Sequence, residues 1–557
     1  MNYKTLSILT SFLLSGLLSA DAYAAQSGMH SDSFFLKVNV SANRHPISPL
    51  IYGLNDIGSD PDMFAGWKAI GVPVMRLGGD ATTRYNWKID STNSGGDWYF
   101  MAGNGEANPV PSASVDAFIN RTKQCGGKAI VTIPIIPLID SVSQTNCSFP
   151  VSLFGPQQSV NPYVHPVVNG KQTDAGNGIR QDGSKIVLTP QQMLRINQPN
   201  SPSYQVAWVK YLVKKYKNAD HGGVAIFQMD NEPSGWANTD RDVVPVQPGY
   251  SEIIARTLQY AAAVKKADPT DSILGPSDFG WAVYKGSPEK HGGLWNAERY
   301  LVAMKAYQDK YGVRLLNYFD EHYYPFTQTG QSSGALQPAG DAASQKIRLE
   351  STRSLWDPAY VEKNWIGQYS GAIKLIPRMQ GWIKKYYPGT KTAITEYNWG
   401  GLESMNGAIT EADVLGIFGR QGLDLATLWG PPTPDQPGAF AFRMYRDYNG
   451  EGGRFGSESV EADSTNQNAL AIYAAERHSD KTLTLMVLNK THHVITSRLT
   501  ITGFRVGGVM KGYLYSQSDL SHIVPTKVAT PVSGTGRYSF PAYSITLIVM
   551  HGTSVKV

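Results

Sequence analysis

Eight short apolar runs recur between residues 46 and 454, and the segments that separate them are longer and have helical character. Runs that are almost continuously apolar are typical of strands buried on both faces of a parallel sheet. Eight such strands alternating with helices favour a (β/α)₈ barrel with inserted loops. A doubly wound open sheet is the alternative, but it would usually carry a Gly-rich phosphate loop early in the chain, and the sequence has none. The runs are residues 50–53, 73–79, 129–134, 224–232, 273–276, 315–324, 392–396 and 425–430.

Residues 250–267 illustrate how the helices between the runs are predicted. Their apolar side chains recur at the spacing of one helix face, and Lys265 and Lys266 lie near the end, where positive charge is favourable. Asp268-Pro269 then acts as a stop signal. Similar patterns predict helices at residues 114–124, 204–217, 297–311, 369–387 and 411–421.

From about Phe455 the pattern changes to short strand-like runs with turn residues between them, which predicts an all-β module. The strand predicted at residues 34–40 lies outside the barrel pattern, so we expect it to join this module as part of a β-sandwich. The expected domains are the catalytic barrel at 46–454 and a sandwich built from 25–45 and 455–557. The strand-like runs are residues 469–475, 483–489, 497–502, 512–515 and 544–550.

Residues 1–24 have the features of a secretory signal peptide. Lys4 supplies positive charge, residues 6–18 are apolar and uncharged, and Ala22-Tyr23-Ala24 is a small-x-small cleavage site. A membrane anchor is the alternative, but the apolar segment is short for a bilayer span. We expect a secreted or periplasmic protein that is cleaved near Ala24.

Charge and cysteine content limit the possible partners. The net charge is only +5, and the sequence has no Lys/Arg block of the kind that binds nucleic acids or membranes. We expect a monomer whose chemistry needs no cofactor or metal, although residues 55–62 could hold a structural Ca²⁺. Cys125 and Cys147 could form a disulfide or remain buried thiols, and the sequence leaves both open.

Two glutamates end apolar runs: Glu232 ends the fourth and Glu396 the seventh. In a (β/α)₈ barrel, function is located where the strands end. Glycoside hydrolysis requires two carboxyl groups, one to protonate the leaving oxygen and one to attack the anomeric carbon or activate a water. Salt-bridged rim carboxylates are the structural alternative. Packing does not call for either glutamate, because burying an unpaired charge is costly.

Other polar and aromatic residues also lie at predicted strand ends. Hydrogen bonds from Arg76 or Tyr324 to Glu396 would favour its charged form. Trp399 and Trp429 are candidate platforms for stacking sugar rings, and five other tryptophans are weaker candidates. The predicted substrate-binding residues are Asn231, Arg76, His322, Tyr324, Trp399 and Trp429.

The chain resembles glycoside hydrolase family 44, which comprises bacterial endo-β-1,4-glucanases and xyloglucanases with a barrel and a β-sandwich. The matching stretches run in family order over roughly residues 34–549, which is more specific than any single motif. They are residues 75–87, 97–100, 230–233, 321–325, 355–358, 360–362 and 395–398.

The resemblance implies that Glu232 is the acid/base and Glu396 the nucleophile of a retaining enzyme. Such an enzyme would cleave cellulose-like β-1,4-glucan or xyloglucan inside the chain, by double displacement through a glycosyl-enzyme intermediate. Glu232 should then have a raised pKa while Glu396 stays ionised, with their carboxyl groups about 5–5.5 Å apart. Asn231 is placed to bond the 2-hydroxyl of the reacting sugar. Asp230 could compete with Glu232 as the acid, but we expect it to bond nearby backbone.

Two departures from the family pattern leave the preferred glucan open. Gly78-Gly79-Asp80 stands where Gly-Gly-Asn is expected, and Ser234-Gly235 follows Pro233 where histidines are common. Mannanase, xylanase or exo-glycosidase activity in the same clan is the first alternative, and a non-catalytic polysaccharide-binding protein is the second. A Gly-x-Ser-x-Gly motif at residues 330–334 suggests a serine nucleophile only weakly, because it lies in a polar loop.

Overall fold

The computed structural model describes residues 34–162, 174–280, 293–325, 338–532 and 534–555. The predicted signal peptide, the motif at residues 330–334 and Trp281 lie outside these residues. Within the described part of the chain, no helix combines the length and apolar character needed to cross a bilayer.

Eight parallel strands close into a barrel in chain order, with the eighth beside the first, which confirms the predicted fold. Each predicted run contributes one strand, although residues 50–53 mostly form a 3₁₀ turn, Pro49–Tyr52, that leads into the first. We number them barrel strands one to eight. They are Gly53–Asn55, Val74–Leu77, Lys128–Ile133, Ile226–Met229, Ser272–Phe279, Tyr318–Tyr323, Lys391–Tyr397 and Leu425–Leu428.

The helices around the barrel largely follow the prediction, and Tyr250–Ala267 matches it at both ends. The helix predicted at 369–387 is two helices, Trp365–Ser370 and Leu375–Tyr386, because Gly371 turns the chain with a φ of 63°. The helix predicted from residue 411 begins at Met405, where the Ser404 side chain caps it. Among the described residues, the other helices of ten or more residues are Pro61–Ile70, Ala113–Gln124, Pro202–Tyr216, Asn296–Tyr311, Ala342–Ser351 and Pro437–Arg446.

Side chains fill the barrel interior in layers, because alternate residues of a strand face the same side. The lower layer is apolar and comprises Val74, Ile130, Ile226, Leu274, Tyr318, Ala393 and Leu425. Two residues further along most strands, the next layer is polar. Its members are Arg76, Thr132, Gln228, Asp320, Thr395 and Thr427, all at most 2% exposed. The apolar layer therefore closes the barrel floor, and the polar layer supports whatever lies at the strand ends.

The N-terminal strand, Phe35–Asn39, joins the C-terminal module as predicted. It pairs parallel to Ile495–Thr502 and antiparallel to Glu458–Ser464. The sheet has eleven strands and curls so that residues from distant strands, among them Val38 and Leu485, share one apolar core. The remaining strands are His45–Pro46, Leu470–Arg477, Thr482–Asn489, Phe504–Val506, Lys511–Ser516, Asp519–Lys527, Thr535–Phe540 and Ser544–Ser554.

The helix Met405–Gln421 lies between barrel and sandwich. A Cβ at Gly416 would lie 2.3 Å from the Tyr473 ring of the sandwich, so only glycine allows this approach. The Asp413 carboxylate accepts hydrogen bonds from Thr352 Oγ1 at 2.6 Å, Tyr473 OH at 2.7 Å and Lys490 Nζ at 2.7 Å. A buried ion pair therefore links the two domains.

Replacing Lys490 by Ala should destabilise the protein by about 3 kcal/mol, because removing one partner leaves the Asp413 charge buried without its counter-ion. Urea unfolding followed by fluorescence measures the loss. Lys511→Ala is the matched control in the same sandwich: Lys511 is exposed, so its replacement should cost less than about 0.5 kcal/mol. Equal stability of Lys490→Ala and the unmodified protein would contradict this account of the interface.

Both cysteines are buried free thiols, which answers the question that the sequence left open. Burial raises the pKa of Cys147 to about 12 and also raises that of Cys125. Neither sulfur has the low pKa of a reactive cysteine, so both side chains act as small apolar groups in the core.

Candidate active site

Glu232 follows barrel strand four in a turn with unusual backbone angles. Asp230 and Glu232 have φ values of 65° and 43°, a region that costs about 1–3 kcal/mol per non-glycine residue. The Asp230 carboxylate holds the turn by accepting hydrogen bonds from the backbone N–H groups of Ile135 and Ile136 and from Thr83 Oγ1. Asp230 is therefore tied to nearby backbone, which fixes how Glu232 is presented.

Glu396 lies in barrel strand seven at a break in register with strand six. Asp320 is opposite Ala393 and His322 is opposite Glu396, so two steps along strand six match three along strand seven. The extra residue forms a bulge, a common device for re-aiming a side chain. Thr395 and Glu396 are adjacent in sequence, and because of the bulge both contact groups inside the barrel.

Arg76 has no exposed surface and connects the polar layer to Glu396. Its Nη1 donates to Glu396 Oε1 at 2.7 Å and to Asn55 Oδ1 at 2.9 Å. Its Nε donates to Gln228 Oε1, and its Nη2 donates to Asn231 Oδ1, both at 2.6 Å. The guanidinium is thus held rigidly and places a fixed positive charge beside Glu396.

Asn231 has its side-chain amide fixed on both ends. Its Oδ1 accepts from Arg76 and from the Gly79 backbone N–H at 3.3 Å. Its Nδ2 donates to Asp80 Oδ1 at 2.8 Å. Since an amide nitrogen carries two hydrogens, one N–H remains that could donate to a ligand hydroxyl.

His322 lies between the two glutamates. Its Nδ1 is 2.8 Å from Glu232 Oε1 and 3.5 Å from Glu396 Oε2. A ring nitrogen of His322 and one carboxylate oxygen from each glutamate all lie within 4.8 Å of one another. The Tyr324 hydroxyl donates to Glu396 Oε2 at 2.9 Å, so both hydrogen bonds predicted for Glu396, from Arg76 and from Tyr324, are present.

Electrostatics favour a protonated Glu232. Burial raises the pKa of Glu232 well above its usual range, and the charges of Glu396, Asp80 and Asp278 raise it further. The Arg76 guanidinium opposes this only in part. A glutamic acid whose pKa is raised in this way can keep its proton and act as a proton donor.

Burial also favours a neutral His322. It lowers the His322 pKa well below the usual range and Arg76 lowers it further, while the charge of Asp320 opposes this in part. A neutral imidazole has one nitrogen that donates and one that accepts. Nδ1 can therefore either accept a hydrogen bond from Glu232 or donate one to it, depending on the tautomer, but it cannot do both.

Among the residues predicted to bind substrate, Asn231 and Tyr324 lie beside the glutamates. The predicted role of Arg76 and His322 in binding substrate is corrected. Both side chains are fully buried, so they contact the glutamates and have no exposed surface for a sugar. The sequence predicted their location at strand ends but not the depth of their side chains.

The two tryptophans predicted as stacking platforms differ in their exposure. Trp399 is 1% exposed and packs against Tyr323 and Tyr397, with its Nε1–H donated to Ser351. A ring so enclosed cannot stack on a sugar, so that prediction is wrong. Trp429 is half-buried and its ring lies against Gly79, next to Asn231, so it remains a candidate.

Several residues of the site were not predicted from the sequence to bind substrate or to act in catalysis. They share one signal, a polar side chain within or just after an apolar run, at a position that faces the barrel interior. They are Asn55, Gln228, Asp320 and Thr395, together with Asp80.

The Ca²⁺ prediction for residues 55–62 stays a prediction. In that stretch Asn55 accepts a hydrogen bond from Arg76, and the Asp56 carboxylate pairs with Arg121 at 3.1 Å. The Asp60 side chain caps the helix Pro61–Ile70. These oxygen atoms already have partners within the protein.

Comparison with known proteins gives a consistent picture. The family model for glycoside hydrolase family 44 matches residues 91–327. Endoglucanase A of Paenibacillus lautus is 30% identical over 543 residues, which span 93% of this chain and 73% of that protein.

Solved structures of similar proteins match the fold of this protein over almost the whole chain. CelM2, a bifunctional glucanase-xylanase from a metagenome library, is 34% identical with a TM-score of 0.85, covering 94% of this chain and 100% of its own. A family 44 xyloglucanase from Paenibacillus polymyxa is 28% identical with a TM-score of 0.77, covering 93% and 99%. With its closed barrel, curled sheet and paired glutamates, this chain belongs to glycoside hydrolase family 44.

Proposed function

We propose that the protein is a secreted, retaining, endo-acting glycoside hydrolase that cleaves β-1,4-glucan, either cellulose-like or xyloglucan. Glu232 serves as acid/base and Glu396 as nucleophile. The observation that carries the proposal is the proximity of their carboxylate oxygens, with His322 between them, within 4.8 Å. Inverting enzymes need about 6.5–9.5 Å between their carboxyl groups to admit a water, whereas retaining enzymes have about 5–5.5 Å.

In the first step, Glu396 attacks the anomeric carbon while Glu232 gives its proton to the leaving oxygen. The Arg76 and Tyr324 hydrogen bonds hold the Glu396 carboxylate in place for attack. In the second step, Glu232 takes a proton from water, which attacks the same carbon and releases Glu396. Asn231 donates its remaining N–H to the 2-hydroxyl, a bond that strengthens toward the transition state.

The relatives support the substrate class. One is named an endoglucanase, and the Paenibacillus polymyxa enzyme is a xyloglucanase that was also solved with xyloglucan. Xylan is a second candidate, because CelM2 acts on both glucan and xylan by its description.

A substrate panel tests the proposal. Purified protein is incubated with carboxymethyl cellulose, xyloglucan, mannan and xylan, and both reducing ends and viscosity are followed. Endo action on β-1,4-glucan predicts a steep fall in viscosity while few reducing ends have formed. Reducing-end release only from mannan, or release with unchanged viscosity, would contradict the proposed specificity or the endo mode.

The activity should show a basic limb set by Glu232. As pH rises through the pKa of an acid catalyst, the catalyst loses its proton and kcat/KM falls. Because burial and neighbouring charges raise the pKa of Glu232, we expect this limb well above the ordinary glutamate value of about 4.3. The pH profile of kcat/KM on xyloglucan measures it. A basic limb at the ordinary glutamate value would contradict the assignment.

Export of the protein rests on residues 1–24 and is tested separately. We expect mass spectrometry of protein recovered from the periplasm or medium to find Ala25 at the N-terminus. Retention of the intact N-terminus on protein inside the cell would contradict export.

A further inference from the structure

Four side chains are connected in a line that runs from the barrel's polar layer to the proposed acid/base. They are Asp320, Thr395, His322 and Glu232. The Thr395 backbone N–H donates to Asp320 Oδ1 at 2.9 Å, and its hydroxyl donates to Asp320 Oδ2 at 2.5 Å. Thr395 Oγ1 is also 3.2 Å from His322 Nε2. His322 Nδ1 is in turn 2.8 Å from Glu232 Oε1. Asp320, Thr395 and His322 are fully buried, so bulk water does not reach their polar atoms.

The order of the bonds determines where the protons lie. A hydroxyl has one hydrogen, and Thr395 gives it to Asp320. Thr395 Oγ1 can then only accept from His322, which places the imidazole hydrogen on Nε2. The neutral ring has a lone pair on Nδ1, so the 2.8 Å contact requires a proton on Glu232 Oε1.

We propose that Asp320 and Thr395 are positioning residues that hold His322 in its Nε2–H tautomer, so that Nδ1 accepts a hydrogen bond from the Glu232 carboxyl group and favours its protonated form. In the first step the proton leaves this hydrogen bond for the leaving oxygen, and the His322 ring stays neutral. The proposal rests on the proposed role of Glu232 as acid/base. After Glu232 has donated its proton, its carboxylate faces the Nδ1 lone pair. This arrangement is unfavourable and makes Glu232 a stronger base for the water of the second step.

Other charged groups around the line do not supply the same effect. Glu396, Asp80 and Asp278 face Glu232 and raise its pKa, as burial does. Glu396 Oε2 also lies 3.5 Å from His322 Nδ1 and favours a proton there, whereas Asp320 Oδ2, 3.9 Å from Nε2, favours the proton on Nε2. Arg76 also faces His322 and disfavours a charged ring. Among the described residues, Thr395 is the one group that the structure places at hydrogen-bond distance from Nε2, so its hydroxyl decides whether Nε2 donates or accepts.

Asp320→Asn is the decisive variant. The side-chain oxygen of Asn would stay with the Thr395 backbone N–H, which directs the NH₂ group at Thr395 Oγ1. The hydroxyl would then donate to His322 Nε2, and the imidazole hydrogen would move to Nδ1, where it stabilises the Glu232 carboxylate. We expect the basic limb of kcat/KM to move to lower pH by about one unit, with activity recovered on the acid side.

Thr395 provides an independent pair of variants. Thr395→Val removes the acceptor for Nε2–H and should move the limb in the same direction, whereas Thr395→Ser keeps the hydroxyl and should restore it. Structural damage alone would lower activity at every pH without moving the limb. An unmoved limb in both Asp320→Asn and Thr395→Val would overturn the proposal.

The tautomer can also be read directly in the full-length, unmodified protein. Nitrogen-15 NMR of histidine-labelled enzyme, with His322→Gln to assign the signal, should show His322 protonated at Nε2. Protonation at Nδ1 would overturn the proposal even if the variants fail to fold. Glu232→Gln separates the proposed function from the tautomer proposal. Full activity of this variant would remove the proposed acid/base role of Glu232, whereas an inactive variant together with an Nδ1–H ring in the unmodified protein would remove only the tautomer proposal.

Discussion

Glu396→Gln should lower kcat/KM on xyloglucan or carboxymethyl cellulose by on the order of 10⁴- to 10⁶-fold, the range seen when single catalytic groups are removed from other hydrolases. The amide of Gln is a poor nucleophile and cannot form the glycosyl-enzyme ester. The fold should persist, because the side-chain oxygen of the introduced Gln can still accept the Arg76 hydrogen bond, and Arg76 keeps Asn55, Gln228 and Asn231 as partners. Initial rates and circular dichroism on the same preparation separate the two effects.

A control and a rescue sharpen this test. Glu451→Gln makes the same chemical change in an exposed loop and should leave activity unaltered. In Glu396→Ala, azide can enter the space of the lost carboxylate and attack the anomeric carbon directly. The product should be a glycosyl azide of inverted configuration, identified by NMR. Near-normal hydrolysis by Glu396→Gln would exclude Glu396 as the nucleophile.

The sequence was sufficient for the architecture because buried parallel strands produce apolar runs that recur at regular intervals. The sequence was insufficient to predict helices and strands whose residues are almost all buried or almost all exposed. Residues 405–410 were missed because the helix Met405–Gln421 is buried on nearly every side and shows no polar face. The strand Asp519–Lys527 was missed for the opposite reason: it is an edge strand with most residues exposed, so no alternation appears.

The candidate site was predictable where it depends on the ends of strands. Glu232, Glu396 and Arg76 lie together because the carboxyl ends of parallel strands converge in a barrel. Side-chain direction was not predictable, since a shift of one residue in register reverses the face of a strand. The bulge before Glu396 brings Thr395 and Glu396 to the same interior, and no local pattern marks it. The prediction that Trp399 stacks on a sugar was wrong for a similar reason, because the chain after strand seven places its ring in the core.

Glu232→Ala should reduce hydrolysis by an amount that depends on the leaving group. On a glucan, whose leaving alcohol needs a proton, we expect kcat/KM to fall by about 10²–10⁴-fold, the usual contribution of general acid–base catalysis. On a 2,4-dinitrophenyl cellobioside the leaving phenolate needs no proton, so formation of the glycosyl-enzyme should be slowed little. Steady-state rates on both substrates, with the pre-steady-state burst of dinitrophenolate, measure this difference.

The same variant also distinguishes the roles of the two glutamates. With the acid/base carboxylate gone, the glycosyl-enzyme waits for a nucleophile that needs no deprotonation. Azide should therefore accelerate turnover of the dinitrophenyl substrate and give a glycosyl azide of retained configuration, opposite to the product from Glu396→Ala. Equal losses on both substrates would mean that Glu232 does not protonate the leaving group, and an inverted azide from Glu232→Ala would exchange the two assignments. Because the two carboxyl groups lie so close together and share His322, only opposite stereochemistry from the two rescues assigns each its step.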